Sequence, residues 1–174
     1  MIFYKMKKAL IVVDYQYDFA DPKGTLYVPN GETLKKGIQK KIIEYKNNNN
    51  FVIFSGDFHP KNHVSFKVWP EHCLIDSKGC SFYIDSSKAD LIIKKGSEKN
   101  YDSYSAFYIA KDLNIESELD SFLKRNNIKE IEICGLALDV CVKDTYEDAK
   151  NKKYNVKVNL DLSKSIDQNF ILEN

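Results

Sequence analysis

The sequence predicts an α/β fold, a three-layer sandwich with a mainly parallel central sheet, on three observations. Five short apolar runs read as buried strands, and several are continuous rather than alternating, as expected of a sheet covered on both faces. Amphipathic helix patterns separate these runs, and such alternation implies right-handed crossovers between parallel strands. Finally, 174 residues at 43% hydrophobic can bury a substantial core but are too few to expect two domains, so residues 1–174 read as one.

The first strand is Ala9 to Val13, stopped by Asp14. Leu34, Ile38, Ile42 and Tyr45 then share one helix face, and the run Asn47 to Asn50 makes a polar turn into the second strand, Phe51 to Phe54. From His59 to Asp90 there is no long period, and Pro60, Pro70 and Gly79 punctuate an irregular loop with short elements. A loop of that length is often functional. Leu91 to Ile93 is the third strand; Ile115, Leu119, Phe122 and Leu123 form a second helix face. Ile131 to Cys134 is the fourth strand, Val142, Tyr146 and Ala149 mark a third helix, and Val156 to Leu160 is the last strand. To the short polar segment beyond Asp161 the sequence assigns neither a sheet-edge nor an oligomer contact, and homo-oligomerisation is left open.

Twenty-six Lys plus Arg against 25 Asp plus Glu give a formal charge of +1, so no electrostatic reason exists to invoke a nucleic-acid partner. A small uncharged substrate stays open. Cys73, Cys80, Cys134 and Cys141 form no CxxC pair, and the start MIFYKMKKALIVVD is unlike an export signal, which together suit reduced thiols in a cytoplasm. The longest apolar runs fall far below the roughly 20 residues that span a bilayer, so no membrane partner is expected.

In open parallel sheets ligands bind beyond the carboxyl ends of the strands. Four points qualify: Asp14 after LIVV, Asp57 after FVIFSG, Lys95 after LIIK, and GLALDVC leading from the fourth strand into a helix. All three histidines, His59, His63 and His72, lie within fourteen residues of one another beside Asp57. Carboxylate and neutral imidazole suit a divalent ion, so Asp57, His59 and His72 are candidate ligands against the plainer reading of a chance cluster in a surface loop. Cys141 lies just inside a helix start, with Asp139 as N-cap, where free amides and the helix dipole stabilise a thiolate. The plainer reading makes it a small core residue, which fits Cys134 better. Asp14 reads equally as general base or as loop cap. Because strand side chains alternate, one of Lys94 and Lys95 faces the site and the other a helix or solvent.

The blocks VVDYQYDF, GDFHPKNHVSF, WPEHC, KKGSEKNYDSYSAF and GLALDVCVKDTYEDA occur in the order seen in nicotinamidases, of the cysteine hydrolase superfamily that also contains isochorismatases, and the chain resembles that family over almost its whole length. The resemblance implies an isochorismatase-like fold and a catalytic triad of Asp14, Lys95 and Cys141. Lys95 is preferred to Lys94 because the family lysine directly precedes a glycine, here Gly96. It also implies metal ligands Asp57, His59 and His72, with zinc the first choice and iron or manganese the alternatives. Phe19, Trp69 and Tyr104 would wall the substrate, with Val140 beside the nucleophile and Ser65 touching the metal through water. His63 receives no ligand role.

By the same resemblance, the metal accepts the pyridine nitrogen of nicotinamide, Asp14 takes the thiol proton, and the amides of Ala137 and Cys141 hold the oxyanion. A cis peptide bond is implied between Leu136 and Ala137. Tyr17, where Asn is usual, and Leu138, where a polar residue is commoner, depart from the family pattern and are expected to alter pocket shape. Competing readings are a relative acting on isochorismate or an N-carbamoyl compound, which lacks the metal constellation, and a non-catalytic metal-binding domain, which leaves the triad unexplained.

Overall fold

The computed structural model describes residues 6–174; the opening MIFYK, part of the stretch read as unlike an export signal, lies outside them. In chain order the elements are β1 (Lys8–Val13), a single helical turn α1 (Tyr17–Ala20), α2 (Lys35–Asn47), β2 (Phe51–Asp57), β3 (Leu91–Lys95), β4 (Tyr108–Ala110), β5 (Ile115–Glu116), α3 (Leu119–Arg125), β6 (Glu130–Leu136), α4 (Lys143–Asn151) and β7 (Asn155–Lys164). Five strands pair in parallel in the order β3, β2, β1, β6, β7, while β4 and β5 form a small antiparallel ribbon. The chain builds outward from β1 to β3, then restarts on the other side of β1 with β6. The carboxyl ends of β1 and β6 therefore flank the point where connections diverge, and a crevice opens there.

The continuous apolar run of β1 is explained by its two faces. Leu10 and Val12 pack with Ile38, Ile42 and Tyr45 of α2, whereas Ala9, Ile11 and Val13 pack with Leu119 and Leu123 of α3 and with Tyr146 and Ala149 of α4. Every residue of the strand from Ala9 onward is buried, so hydrophobicity has no reason to alternate. On the edge strand β7 only Val158 and Ser163 are buried, the other positions being partly or fully exposed.

Three expectations change. β2, β3, β6 and β7 run past their expected ends to Asp57, Lys95, Leu136 and Lys164, because ladder pairing uses backbone groups and continues whatever the side chain; Asp57 pairs with Lys95 in register. Ile115 does not begin a helix: it lies in β5, 47% exposed, and the helix starts at Leu119. Its spacing to Leu119 fitted a helix face, but Ile115 and Glu116 pair with Ala110 and Tyr108 as a ribbon. Val142 belongs to a π-helical turn, Leu138–Val142, that precedes α4. The region from His59 to Asp90 is irregular, with two short 3-10 turns, and Asn48 to Asn50 make the turn after α2.

Candidate active site

At the carboxyl rim the four points singled out from sequence converge. Asp14 leaves β1 with φ 45°, a left-handed conformation that Asp tolerates better than most residues. Its amide donates to Ser55 O (3.0 Å), and Ser55 Oγ donates to its Oδ1 (2.8 Å). Lys95, fully buried at the end of β3, places its ammonium 2.9 Å from Asp14 Oδ2, 2.5 Å from Asp57 Oδ1 and 3.8 Å from Cys141 Sγ. Lys94 points the other way and is exposed, its ammonium 4.9 Å from the Phe58 ring centre. A buried ammonium is tolerable only with such partners.

Burial pushes the Asp14 carboxyl up, and although Lys95 opposes this, the group stays above the usual carboxylate range. Burial would also raise Asp57, but Lys95, His59 and His72 outweigh it and hold that carboxyl well below the usual range. Lys95 is held well above the ordinary lysine value because Asp14 and Asp57 outweigh its burial. The rim thus separates two carboxylates by role: one a firm anion, the other a group able to take and release a proton.

Cys141 lies in the π-helical turn, where Val140 and Val142 amides both donate to Ala137 O (3.1 and 3.0 Å). Such turns recur at functional sites. The expected capping by Asp139 is not found: the turn has no side-chain cap, and the Asp139 carboxylate accepts instead from Ile166 and Asp167 amides. The expectation of a stabilised thiolate also changes, since burial raises the Cys141 thiol well above its ordinary value despite Lys95. The resting group is a thiol that needs a base. The peptide bond from Leu136 to Ala137 is cis. Just before it, Gly135 takes φ 118°, and any Cβ there would collide with Val13 O.

Asp57, His59 and His72 bring three ligand atoms within 4.8 Å of one another, all on buried residues. His59 Nδ1 donates to Gly96 O (2.8 Å) and His72 Nδ1 donates to Pro70 O (2.7 Å), since a carbonyl can only accept. In its neutral form each ring would therefore present its Nε2 lone pair on the side of Asp57 Oδ2, at 3.5 and 3.8 Å. His59 Nε2 is buried without a hydrogen-bond partner, so the donor set fits a divalent cation. Gly96 makes room: a Cβ there would strike the His59 ring. His63 stacks on His59 with ring centres 4.0 Å apart, its Nε2 donating to Tyr101 O (2.9 Å) and its Nδ1 accepting from Ser65 Oγ (2.7 Å). Ser65 thus reaches His59 through His63.

Two residues that sequence reasoning passed over hold this cradle. Gln16 Nε2 donates to Asp57 O (2.7 Å) and Cys80 O (2.8 Å), while its Oε1 accepts from Asp57 N (2.8 Å). Asp18 Oδ2 accepts from Cys73 N (2.8 Å), directly after His72. Their place in DYQYDF, two and four residues past Asp14, was the available signal.

The crevice beside these groups is a pocket of about 400 Å³ including its open mouth, with Asp57, His72 and Cys141 in its wall. Phe19, Trp69, Tyr104 and Val140 line it, joined by Leu26, Val28, Asp102, Leu136, Ala137 and Ile166. Trp69 Nε1 donates to Tyr104 Oη (3.1 Å), and Phe19 lies 5.4 Å from the His72 ring, fixing the aromatic sides. Tyr17 and Leu138 do not line the pocket: Tyr17 packs near Tyr83 under Lys78, and Leu138 is buried in the α4-side core.

The isochorismatase domain family matches residues 8–170. A nicotinamidase of Acinetobacter baylyi is 33% identical, over 95% of this chain and 85% of its own length. Among solved structures, pyrazinamidase of Pyrococcus horikoshii in complex with zinc has a TM-score of 0.84 and 34% identity, covering 92% of this chain and 87% of that one. PnC1 of L. infantum in complex with nicotinate has a TM-score of 0.86 and 31% identity, covering 93% and 83%. The match takes in β1, β6 and every residue of the buried rim, and the chain belongs to the isochorismatase family.

Proposed function

We propose that the chain hydrolyses the carboxamide of nicotinamide to nicotinate and ammonia. The observation that carries this reading is one pocket whose wall holds the buried Cys141 thiol, with the Asp14 carboxyl interacting behind it, in one part and Asp57 and His72 of the carboxylate-bis-imidazole cradle in another. That arrangement measures the distance between a ring nitrogen and an amide carbon. The A. baylyi nicotinamidase and the nicotinate-bound L. infantum protein support the substrate class.

A divalent cation held by Asp57, His59 and His72 would supply a Lewis-acidic position for the pyridine nitrogen; zinc is the first choice, given the donor set and the zinc in the P. horikoshii relative. Asp14 accepts the Cys141 proton as sulfur bonds to the amide carbon, and the carbonyl oxygen takes up the electron pair. Backbone amides of Ala137 and Cys141 stabilise that oxyanion. As the carbon–nitrogen bond breaks, Asp14 returns the proton to nitrogen and ammonia leaves a thioester. Water then adds, giving one proton to Asp14; the carbon–sulfur bond breaks, that proton passes back to sulfur, and the carboxylic acid left behind releases the second proton to solvent as nicotinate. Lys95 keeps its charge throughout and offsets the negative charge of Asp14, Asp57 and sulfur. Phe19, Trp69, Tyr104 and Val140 hold the ring, and Ser65 acts on the cradle at one remove.

We place the whole chain, 1–174, in one domain working in the cytoplasm, which the four unpaired thiols support. No helix among the described residues is long and apolar enough to cross a membrane. Incubating the purified protein with nicotinamide should release ammonia and nicotinate in equal amounts, while benzamide, lacking the ring nitrogen, should turn over poorly. Absence of both products from nicotinamide would overturn the assignment.

A further inference from the structure

The residues after β7 contribute to the pocket, and a single carboxylate beside the nucleophile holds them. Asp139 Oδ1 accepts from Ile166 N (3.0 Å) and its Oδ2 from Asp167 N (2.8 Å). A carboxylate gripping two successive amides fixes the local backbone direction, and with it the direction in which the Ile166 side chain projects. Ile166 is half-buried, packs against the α2-side core and lines the pocket that contains Cys141.

Beyond this grip the chain turns sharply: Asp167 accepts from Asn169 N through its side chain (2.9 Å) and from Phe170 N through its carbonyl (3.1 Å). Phe170 and Leu172 then pack against the opposite, α4-side core, and Asn174 bonds both backbone groups of Val158 in β7 (2.7 and 2.8 Å). The far part of the segment is thus fastened by its own contacts. At the pocket end, the Asp139 bonds are the side-chain link between the segment and the turn carrying Cys141. Stitching the segment down could have been done anywhere along it. Here the grip falls on the residue whose apolar side chain enters the pocket, and it comes from two positions before the nucleophile.

We propose that Ile166 is a specificity-determining wall of the pocket and Asp139 the positioning residue that holds it, so that the site admits a flat six-membered aromatic carboxamide and rejects ring-substituted ones. This rests on the reading that nicotinamide is the substrate and adds how the ring is selected. Asp139 touches neither the cradle nor the pocket, so its effect passes through Ile166.

The test uses the full chain with Ile166→Ala, Asp139→Ala and Asp139→Asn, assayed on nicotinamide and on nicotinamides methylated singly at each free ring carbon. Ile166→Ala should raise kcat/KM for at least one methylated isomer relative to nicotinamide by about 10-fold, the scale on which an apolar pocket reads one methyl group. Asp139→Ala should shift selectivity in the same direction, raising KM for nicotinamide more than it lowers kcat. It should also lose hydrogen-exchange protection at the Ile166 and Asp167 amides. Asp139→Asn keeps one acceptor oxygen and should protect one of the two amides, with intermediate selectivity. Unchanged selectivity in Ile166→Ala, or full amide protection in Asp139→Ala, overturns the proposal, as does a loss of kcat in Asp139→Ala with selectivity unchanged. Were nicotinamide not hydrolysed by the unaltered protein, the substrate assignment would fall on its own. Exchange at the two amides would still decide whether Asp139 holds the segment.

Discussion

The two rims of the sheet carry similar chemistry arranged to opposite ends. At the amino-terminal rim, Glu132 of β6 is buried between Lys41 and Lys157, with Tyr45 donating to one oxygen (2.7 Å) and Asn159 to the other (2.8 Å). Burial would raise its carboxyl, but these hydrogen bonds and the two lysines outweigh it and leave it lowered. The cleft there, lined also by Lys8, Glu44 and Glu130, is about 1020 Å³ including its open mouth, against about 400 Å³ on the same basis for the pocket at the other rim. At the carboxyl rim two carboxylates share one lysine, an imidazole nitrogen has no partner, and a thiol sits raised beside a carboxyl that is also raised. A satisfied polar network stabilises and is inert. One left incomplete holds groups whose protons and lone pairs are available, and cavity size does not distinguish the two.

The sharpest way to break this contrast is Cys141→Ala. Nicotinamide turnover should fall by at least about 10⁴-fold, as for removal of a nucleophile that acts in concert with its base. Thermal unfolding should shift little, and activity within tenfold of the unaltered protein would remove Cys141 from the chemistry. Lys95→Met tests whether the carboxyl rim depends on its single cation. It should abolish turnover and cost about 3–5 kcal/mol in denaturant unfolding, because Asp14 and Asp57 are left as uncompensated buried groups.

Chelation should lower activity, with recovery on adding back a divalent ion. His72→Ala should lower metal content measured by elemental analysis, whereas His63→Ala, both of whose ring nitrogens already have partners, should retain more of it. Full occupancy in His72→Ala would place the ion elsewhere.

At the opposite rim, Tyr45→Phe should cost about 1 kcal/mol of stability with kcat unchanged. Because the folded Glu132 carboxyl is lowered, its stabilising contribution is complete above the unfolded value and fades as pH falls through the folded one. The stability difference between the unaltered protein and Glu132→Gln should therefore shrink on acidification; a difference that grew would reverse the sign assigned to this network. Smallest of all, Lys94→Ala should leave turnover intact and change stability by no more than about 0.5 kcal/mol, as its ammonium lies in solvent over Phe58.

What the sequence determined by itself is local. The five apolar runs and the helix spacings of Ile38, Ile42 and Tyr45 follow from which side of an element must be buried, and that periodicity is written in neighbouring residues. The family blocks placed Asp14, Asp57, His59, His72, Lys95 and Cys141 before any coordinates did, because motifs keep their residues in chain order. Tertiary structure alone decided matters that depend on distant pairing. Strand alternation left Lys94 and Lys95 as alternatives that only the family pattern separated, and register with Asp57 across β2 and β3 supplies the physical reason the buried one is Lys95. Gln16 could be seen to clamp Asp57, 41 positions onward, only once the chain between them had folded back. Ile115 kept helical spacing to Leu119 but was claimed by a ribbon with Tyr108 and Ala110. Asp139 carried the signature of a helix cap, and its carboxylate went instead to amides 27 and 28 positions onward. A hydrogen-bond acceptor is fixed by its own residue type, but which donor reaches it is settled by how the rest of the chain is packed.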